Sequence, residues 1–211
     1  MFKLIYHLLL ILFFINPVFA QKKAEKQIIE SFETYKNAIL NNEPDVAVEL
    51  IDANSIVYYA DLLYQIKTAD SVTIETMKTV DKLLLFSYRH RVPKDELLSL
   101  SSGEALFKKA IETGILSKRT VKGTSLGEID IEGDKATAEF KIDEQVLLFK
   151  YHFNKEKGKW KIDLTALSES DNASADMLVE NSGTTANEYF FLILKMITGR
   201  NPGSEIWEPL E

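Results

Sequence analysis

Residues 127–164, GEIDIEGDKATAEFKIDEQVLLFKYHFNKEKGKWKIDL, decide the fold. Apolar and polar residues alternate along this stretch, the spacing of half-buried strands. Glu128-Ile129-Asp130-Ile131-Glu132 alternates first, and Gly133-Asp134 has turn chemistry. Ala136, Ala138, Phe140 and Ile142 share one face of a second strand. Leu147, Phe149, Tyr151 and Phe153 do so on a third. After a turn around Lys157-Gly158, Trp160, Ile162 and Leu164 do so on a fourth. Tight connections between neighbours predict an antiparallel meander. Its other face carries Thr137, Glu139 and Lys141, then Val146, Leu148, Lys150 and His152, then Lys159, Lys161 and Asp163, and is expected to meet water or a partner.

Helical periodicity surrounds this block. Ile28, Phe32, Tyr35 and Ile39 form an apolar stripe in a helix predicted over 23–41. Pro44 opens a short helix from Asp45 to Ile51. Two more helices are predicted over 55–67 and 72–90, and the apolar second half of the latter requires burial on several sides. A capping-box pattern at Ser101 to Glu104 precedes a helix from Ala105 to Thr113. Residues 168–183, rich in Ser, Asp and Asn, read as a loop. Tyr189 to Ile197 is a short apolar helix, and a tail follows from Gly199, pinned by Ile206, Trp207 and Leu210. The expected architecture is α+β: N-terminal helices (23–118) packed on a curved antiparallel β-meander (120–167), with a C-terminal helix and apolar tail (184–211).

The first twenty residues differ from the rest. Lys3 supplies a positive start, Leu4 to Ile15 a run that is apolar except for His7, and Val18-Phe19-Ala20 an exit before polar Gln21. This is the pattern of a secretory signal peptide cut between Ala20 and Gln21. The run is too short for the ~20 residues of a membrane span, so no stable span is expected after cleavage. The predicted mature part, 21–211, suits a single domain in a periplasmic or secreted space.

Composition narrows the chemistry. The chain is 45% hydrophobic and 27% charged, an ordinary globular balance. Its formal charge of −7 becomes one unit more negative without Lys3, which disfavours nucleic-acid binding. There is no Cys, hence no disulfide, thiolate metal site or thiol nucleophile. His90 and His152 alone remain after cleavage, so neither a metal centre nor a cofactor is expected.

The first helix, GEIDIEGDKATAEFKI and LLFKYHFNKEKGKWKIDL together resemble the nuclear transport factor 2-like superfamily, which includes ketosteroid isomerase-like folds. The resemblance covers about residues 120–167 plus that helix. RHRVP (89–93) and the closing GRNPGSEIWEPL also look like segments of uncharacterised bacterial envelope proteins. Isomerase-like members of the superfamily use a carboxylate base and a tyrosine hydroxyl in an apolar cone. That implies Asp61 with Tyr58 or Tyr64, at helical spacings of three, as the catalytic candidates. The bland alternative is a solvated Asp61 and tyrosines packed with their hydroxyls at the rim.

Arg89-His90-Arg91 is the densest cationic cluster. Arg89 and Arg91 either hold a carboxylate or phosphate or complement a helix C-terminus. On one helix the three residues point different ways. His152 either shuttles protons with Asp163 or joins a solvated cross-strand charge network. The Gly123 to Gly127 stretch lacks the Lys of a phosphate loop. Asn172-Ala173-Ser174 matches a glycosylation sequon. Two functions are therefore expected to compete. One is a non-enzymatic domain of the bacterial envelope that binds an unknown envelope protein or a small apolar or anionic ligand. The other is a small-molecule isomerase, dehydratase or hydrolase with a carboxylate in a cone-shaped pocket. A polar-lined cavity above the apolar sheet face, entered by a carboxylate, distinguishes them.

Overall fold

The computed structural model describes residues 17–166 and 168–211. Four strands, β1 (Thr124–Glu132), β2 (Lys135–Ile142), β3 (Gln145–Glu156) and β4 (Lys159–Asp163), form an open antiparallel sheet in sequence order, as the alternation predicts. Two-residue hairpins join β2 to β3 and β3 to β4. Asp143 and Glu144, then Lys157 and Gly158, all take positive φ, as tightly twisted hairpins require. The register shifts between Leu126 and Ile129 and again between Glu139 and Lys141, and such irregularities bend a sheet.

Ala136, Ala138, Phe140, Tyr151, Phe153, Trp160 and Ile162 are buried on one face, as expected. Ile142 departs from that face and is 39% exposed, because it ends β2 at the hairpin, beyond the helical cover.

Helix α1 (Pro17–Asn41) lies across the sheet with Ile28, Phe32, Tyr35 and Ile39 buried. Its described part already begins at Pro17, ahead of the predicted residue 23. The predicted leader falls largely on residues 1–16, outside the described part, and the Ala20–Gln21 junction lies within α1. Ser31 Oγ donates to the Trp160 carbonyl at 2.8 Å, fixing α1 to β4. After α2 (Pro44–Val48) the chain extends. Asp52 N donates to Ile162 O at 2.9 Å and Ile162 N to Leu50 O at 2.8 Å, so the segment adds to the open edge of β4. The predicted helix to Ile51 therefore stops early.

Asp52 organises the next element, α3 (Ala53–Thr68). Its Oδ1 accepts from Ser55 N and Ser55 Oγ at 2.8 and 2.6 Å, and its Oδ2 accepts from Asn154 Nδ2 at 2.8 Å. Ser55 Oγ in turn accepts from Leu164 N at 2.9 Å. This buried, fully partnered cluster ties the N-terminus of α3 to the end of the sheet. Ser55, Tyr59, Leu62, Leu63 and Ile66 then face inward.

The helix predicted over 72–90 is two: α4 (Ser71–Glu75) and α5 (Thr79–Arg91). Val72, Thr73, Ile74, Thr76, Thr79 and Val80 are β-branched and weaken a continuous helix around the break. Lys82 pairs with Glu75 at 2.9 Å across it. A further helix, α6 (Lys94–Ser99), was not predicted. It precedes α7 (Gly103–Glu112), whose first residue touches α3: a Cβ on Gly103 would meet the Ile56 carbonyl oxygen and lie 2.7 Å from Ala60 N.

The stretch 168–183, expected as a loop, is α8 (Ser168–Ser182). None of its residues is buried, so no apolar stripe announces it. It is held by polar contacts instead. Asn172 Oδ1 accepts from Val80 N at 2.9 Å, Asn172 Nδ2 donates to Ser168 O at 2.6 Å, and Asp176 accepts from Thr79 Oγ1. Helix α9 (Ala186–Thr198) begins with a capping box of Thr185 and Glu188 and ends on Gly199 in the left-handed region. The tail is pinned as expected: Ile206 is buried, and the Trp207 ring packs on Phe86 with centroids 4.8 Å apart. No described helix is long and apolar enough to cross a membrane.

Candidate functional site

Between the apolar sheet face and the helices lies a cavity of about 440 Å³, within the size range of small-molecule sites. Phe140 and Tyr151 rise from the sheet, Tyr35 from α1, Tyr58 and Tyr59 from α3, and Asp81 from α5. Asp171 and Asn172 of α8 close one side. The cluster at Asp52 sets the position of α3, so Tyr58 and Tyr59, one turn on, arrive over the sheet. Edge-to-face contacts order the rings: Phe140 on Tyr151 at 4.8 Å, Phe32 on Tyr151 at 5.1 Å and Tyr58 on Tyr59 at 5.4 Å.

The tyrosines are the unusual feature. Tyr35, Tyr59 and Tyr151 are 2%, 7% and 8% exposed, yet no described residue hydrogen-bonds any of their hydroxyls. Buried Tyr88, outside the cavity, donates to Leu106 O at 3.0 Å in the usual way. Among the described residues, the wholly enclosed side-chain polar atoms without partners are Trp160 Nε1 and Asn187 Oδ1. The three phenol oxygens are not in that class and keep access to the cavity. Burial raises the pKa of Tyr35, and neighbouring Tyr151 and Tyr59 add to it. Burial also pushes Tyr151 up to about 12, with Asp171 contributing. All three are neutral phenols at physiological pH, able to donate and accept.

Two carboxylates enter the cavity. Tyr58 Oη donates to Asp81 Oδ1 at 2.6 Å. Burial first, then this bond, raises the Tyr58 pKa, and Asp171 adds to it. Asp171 sits at an exposed rim, but its carboxyl is turned far enough inward that loss of water raises its pKa. No described residue donates a hydrogen bond or an ion pair to that carboxyl.

The residues singled out from sequence fall in different places. Tyr58 lines the cavity. Asp61 and Tyr64 are exposed on the outer side of α3 and do not reach it. Arg89, His90 and Arg91 point three ways, to the C-terminal ends of three helices. Arg89 Nε donates to Ile66 O at 2.9 Å, its Nη2 to Ala69 O and Gln65 O at 2.8 and 3.3 Å, and its Nη1 to Ile206 O at 3.1 Å. Burial lowers its pKa to about 10, so it stays charged. His90 Nε2 is 2.9 Å from Thr198 Oγ1. Arg91 donates to the carbonyls of Thr113 and Gly114. The arginines thus complete helix ends.

His152 pairs with Asp163 in the β3–β4 register. The Asp163 carboxylate accepts from Thr165 N and Oγ1 at 2.9 and 2.6 Å. Both residues border a second hollow of about 560 Å³ near Gln21, where Asp52 is already partnered. No group of three His, Cys, Asp or Glu residues able to hold a metal occurs among the described residues.

Tyr35, Tyr151, Asp81 and Asp171 escape the sequence analysis as site residues. A signal existed for the first two: each puts a hydroxyl where Phe, Ile or Leu would suffice to fill an apolar stripe. Asp171 lay in the supposed loop. No protein-family model, curated protein or solved structure matches the chain.

Proposed function

We propose that this chain is an exported domain of the nuclear transport factor 2-like kind that binds a small, mainly apolar molecule carrying hydrogen-bonding groups. One observation carries the reading: three tyrosines more than nine-tenths buried line one cavity with hydroxyls that no described residue hydrogen-bonds. A hydroxyl that faces the cavity and meets no described residue is left for whatever fills the cavity, and a ligand oxygen or nitrogen there gains a hydrogen bond worth about 1 kcal/mol. Val80, Leu84, Ile115, Leu116 and Leu164 supply apolar wall around them. The leader pattern over residues 1–20 supports export to the periplasm or beyond the cell. N-terminal sequencing of the processed protein tests that: Gln21 is expected first, and Met1 refutes it.

The binding test is calorimetric titration with 2-phenylethanol, an aromatic alcohol small enough for the cavity. Saturable binding is expected, weakened about tenfold by Tyr35→Phe or Tyr151→Phe, the effect of one lost hydrogen bond of ~1.4 kcal/mol. Unchanged affinity in both variants overturns the reading.

A second reading, acid–base catalysis, is favoured by Asp171, a partly desolvated carboxylate beside Tyr58 in an apolar cavity. It moves the catalytic role from Asp61 to Asp171. It requires turnover that Asp171→Asn abolishes while substrate binding persists.

A further inference from the structure

The charges around the cavity are one-sided. Asp81 and Asp171 line it, and none of the described lining residues is Lys, Arg or His. The cationic cluster that might have balanced them is spent elsewhere. Arg89 serves the carbonyls of Gln65, Ile66, Ala69 and Ile206, and Arg91 those of Thr113 and Gly114. Asp81 already receives the Tyr58 hydroxyl. Asp171 receives nothing from any described residue. The raised pKa of Asp171 is the mark of a carboxylate that has lost water without gaining a cation.

Within the cavity reading above, on which this step rests, we propose that the ligand is an organic amine. Its apolar body lies among Tyr35, Tyr59, Phe140 and Tyr151, and its ammonium group sits beside Asp171 and the Tyr58–Asp81 pair. The chemistry matches group by group. An ammonium brings donors and no acceptor, and the carboxylates and the free phenol oxygens supply acceptors. The faces of the tyrosine rings attract a cation electrostatically. An anionic ligand would meet two carboxylates against a largely apolar and phenolic wall, where like charges repel more strongly than in bulk. The chain's formal charge of −7 also draws cations rather than anions to its surface. This replaces the anionic ligand expected from the arginine cluster with one of opposite sign.

Three probes of nearly equal shape test the proposal: phenethylamine, 2-phenylethanol and phenylacetate, titrated calorimetrically into the full chain at neutral pH. Phenethylamine is expected to bind at least tenfold more tightly than 2-phenylethanol, with phenylacetate weakest. Asp171→Asn is expected to close the gap by weakening phenethylamine about tenfold. Because Asp171 lies at an exposed rim, the variant is expected to fold, which a thermal melt checks. Equal affinity for amine and alcohol, or a gap that survives both Asp171→Asn and Asp81→Asn, overturns the amine and leaves the cavity reading standing. Failure of all three probes to bind overturns both.

Discussion

Arg89 and Tyr35 are both polar side chains set against an apolar interior, and the protein treats them in opposite ways. Arg89 uses Nε, Nη1 and Nη2 to serve four backbone carbonyls, from the last turn of α3 and from the C-terminal tail. Tyr35, with Tyr59 and Tyr151, gives its hydroxyl to no described residue. The arginine corner is closed: every polar contact in it stabilises the fold. The tyrosine cavity is open, and its hydroxyls add nothing to the fold that packing alone would not supply. A Phe at each position would fill the same stripe. That contrast is why the proposed binding site is the cavity and not the cationic cluster.

Breaking the closed corner is expected to have the largest effect. Arg89→Leu leaves helix-end carbonyls without donors and should lower unfolding free energy by roughly 2–4 kcal/mol, measured by chemical denaturation. The tail should loosen with it, seen as faster hydrogen exchange around Ile206. Next comes the junction of α8 with α5. Asn172→Ala removes the acceptor for Val80 N and should cost about 1 kcal/mol, the value of a helix-capping side chain. The sequon nitrogen, Asn172 Nδ2, is engaged separately, donating to Ser168 O at 2.6 Å.

The smallest stability effects belong to the cavity. Tyr35→Phe should change unfolding free energy by no more than ~0.5 kcal/mol, because no described residue hydrogen-bonds the lost hydroxyl. Asp171→Asn sharpens the comparison through pH. Burial raises the folded-state pKa of Asp171 above its unfolded value, so folding favours the protonated form. Its destabilisation is absent below the unfolded pKa and grows as pH rises through the folded pKa. Thermal melts should therefore show Asp171→Asn more stable than the parent at neutral pH and equal to it in acid below the carboxylate range. A parent more stable at neutral pH would mean that Asp171 has a cationic partner in the protein.

The sheet was legible because period-two alternation survives in every strand, and the stripe of α1 because Ile28, Phe32, Tyr35 and Ile39 keep helical spacing. What hid was whatever did not depend on an apolar pattern. Helix α8 buries no residue and docks through Asn172 and Asp176, so its composition reads as a loop. The break between α4 and α5 comes from β-branched residues within a stretch whose hydrophobic period runs on unbroken. Asp61 and Tyr58 share a helix, but spacing alone does not say which face meets the sheet, and Asp61 faces out. Asp81 and Asp171 meet Tyr58 only through three separate helices. Arg89 and Arg91 looked like an anion site because sequence shows donors and hides the carbonyls that take them.

The central claim is that the cavity tyrosines keep their hydroxyls for a ligand. The most direct measurement is the affinity of the Tyr35→Phe/Tyr151→Phe double variant for 2-phenylethanol, taken alongside its unfolding free energy. The account predicts stability within about 1 kcal/mol of the parent and binding weakened by roughly tenfold or more. Parental affinity in a folded double variant, or a large loss of stability from removing two hydroxyls that no described residue contacts, would contradict it.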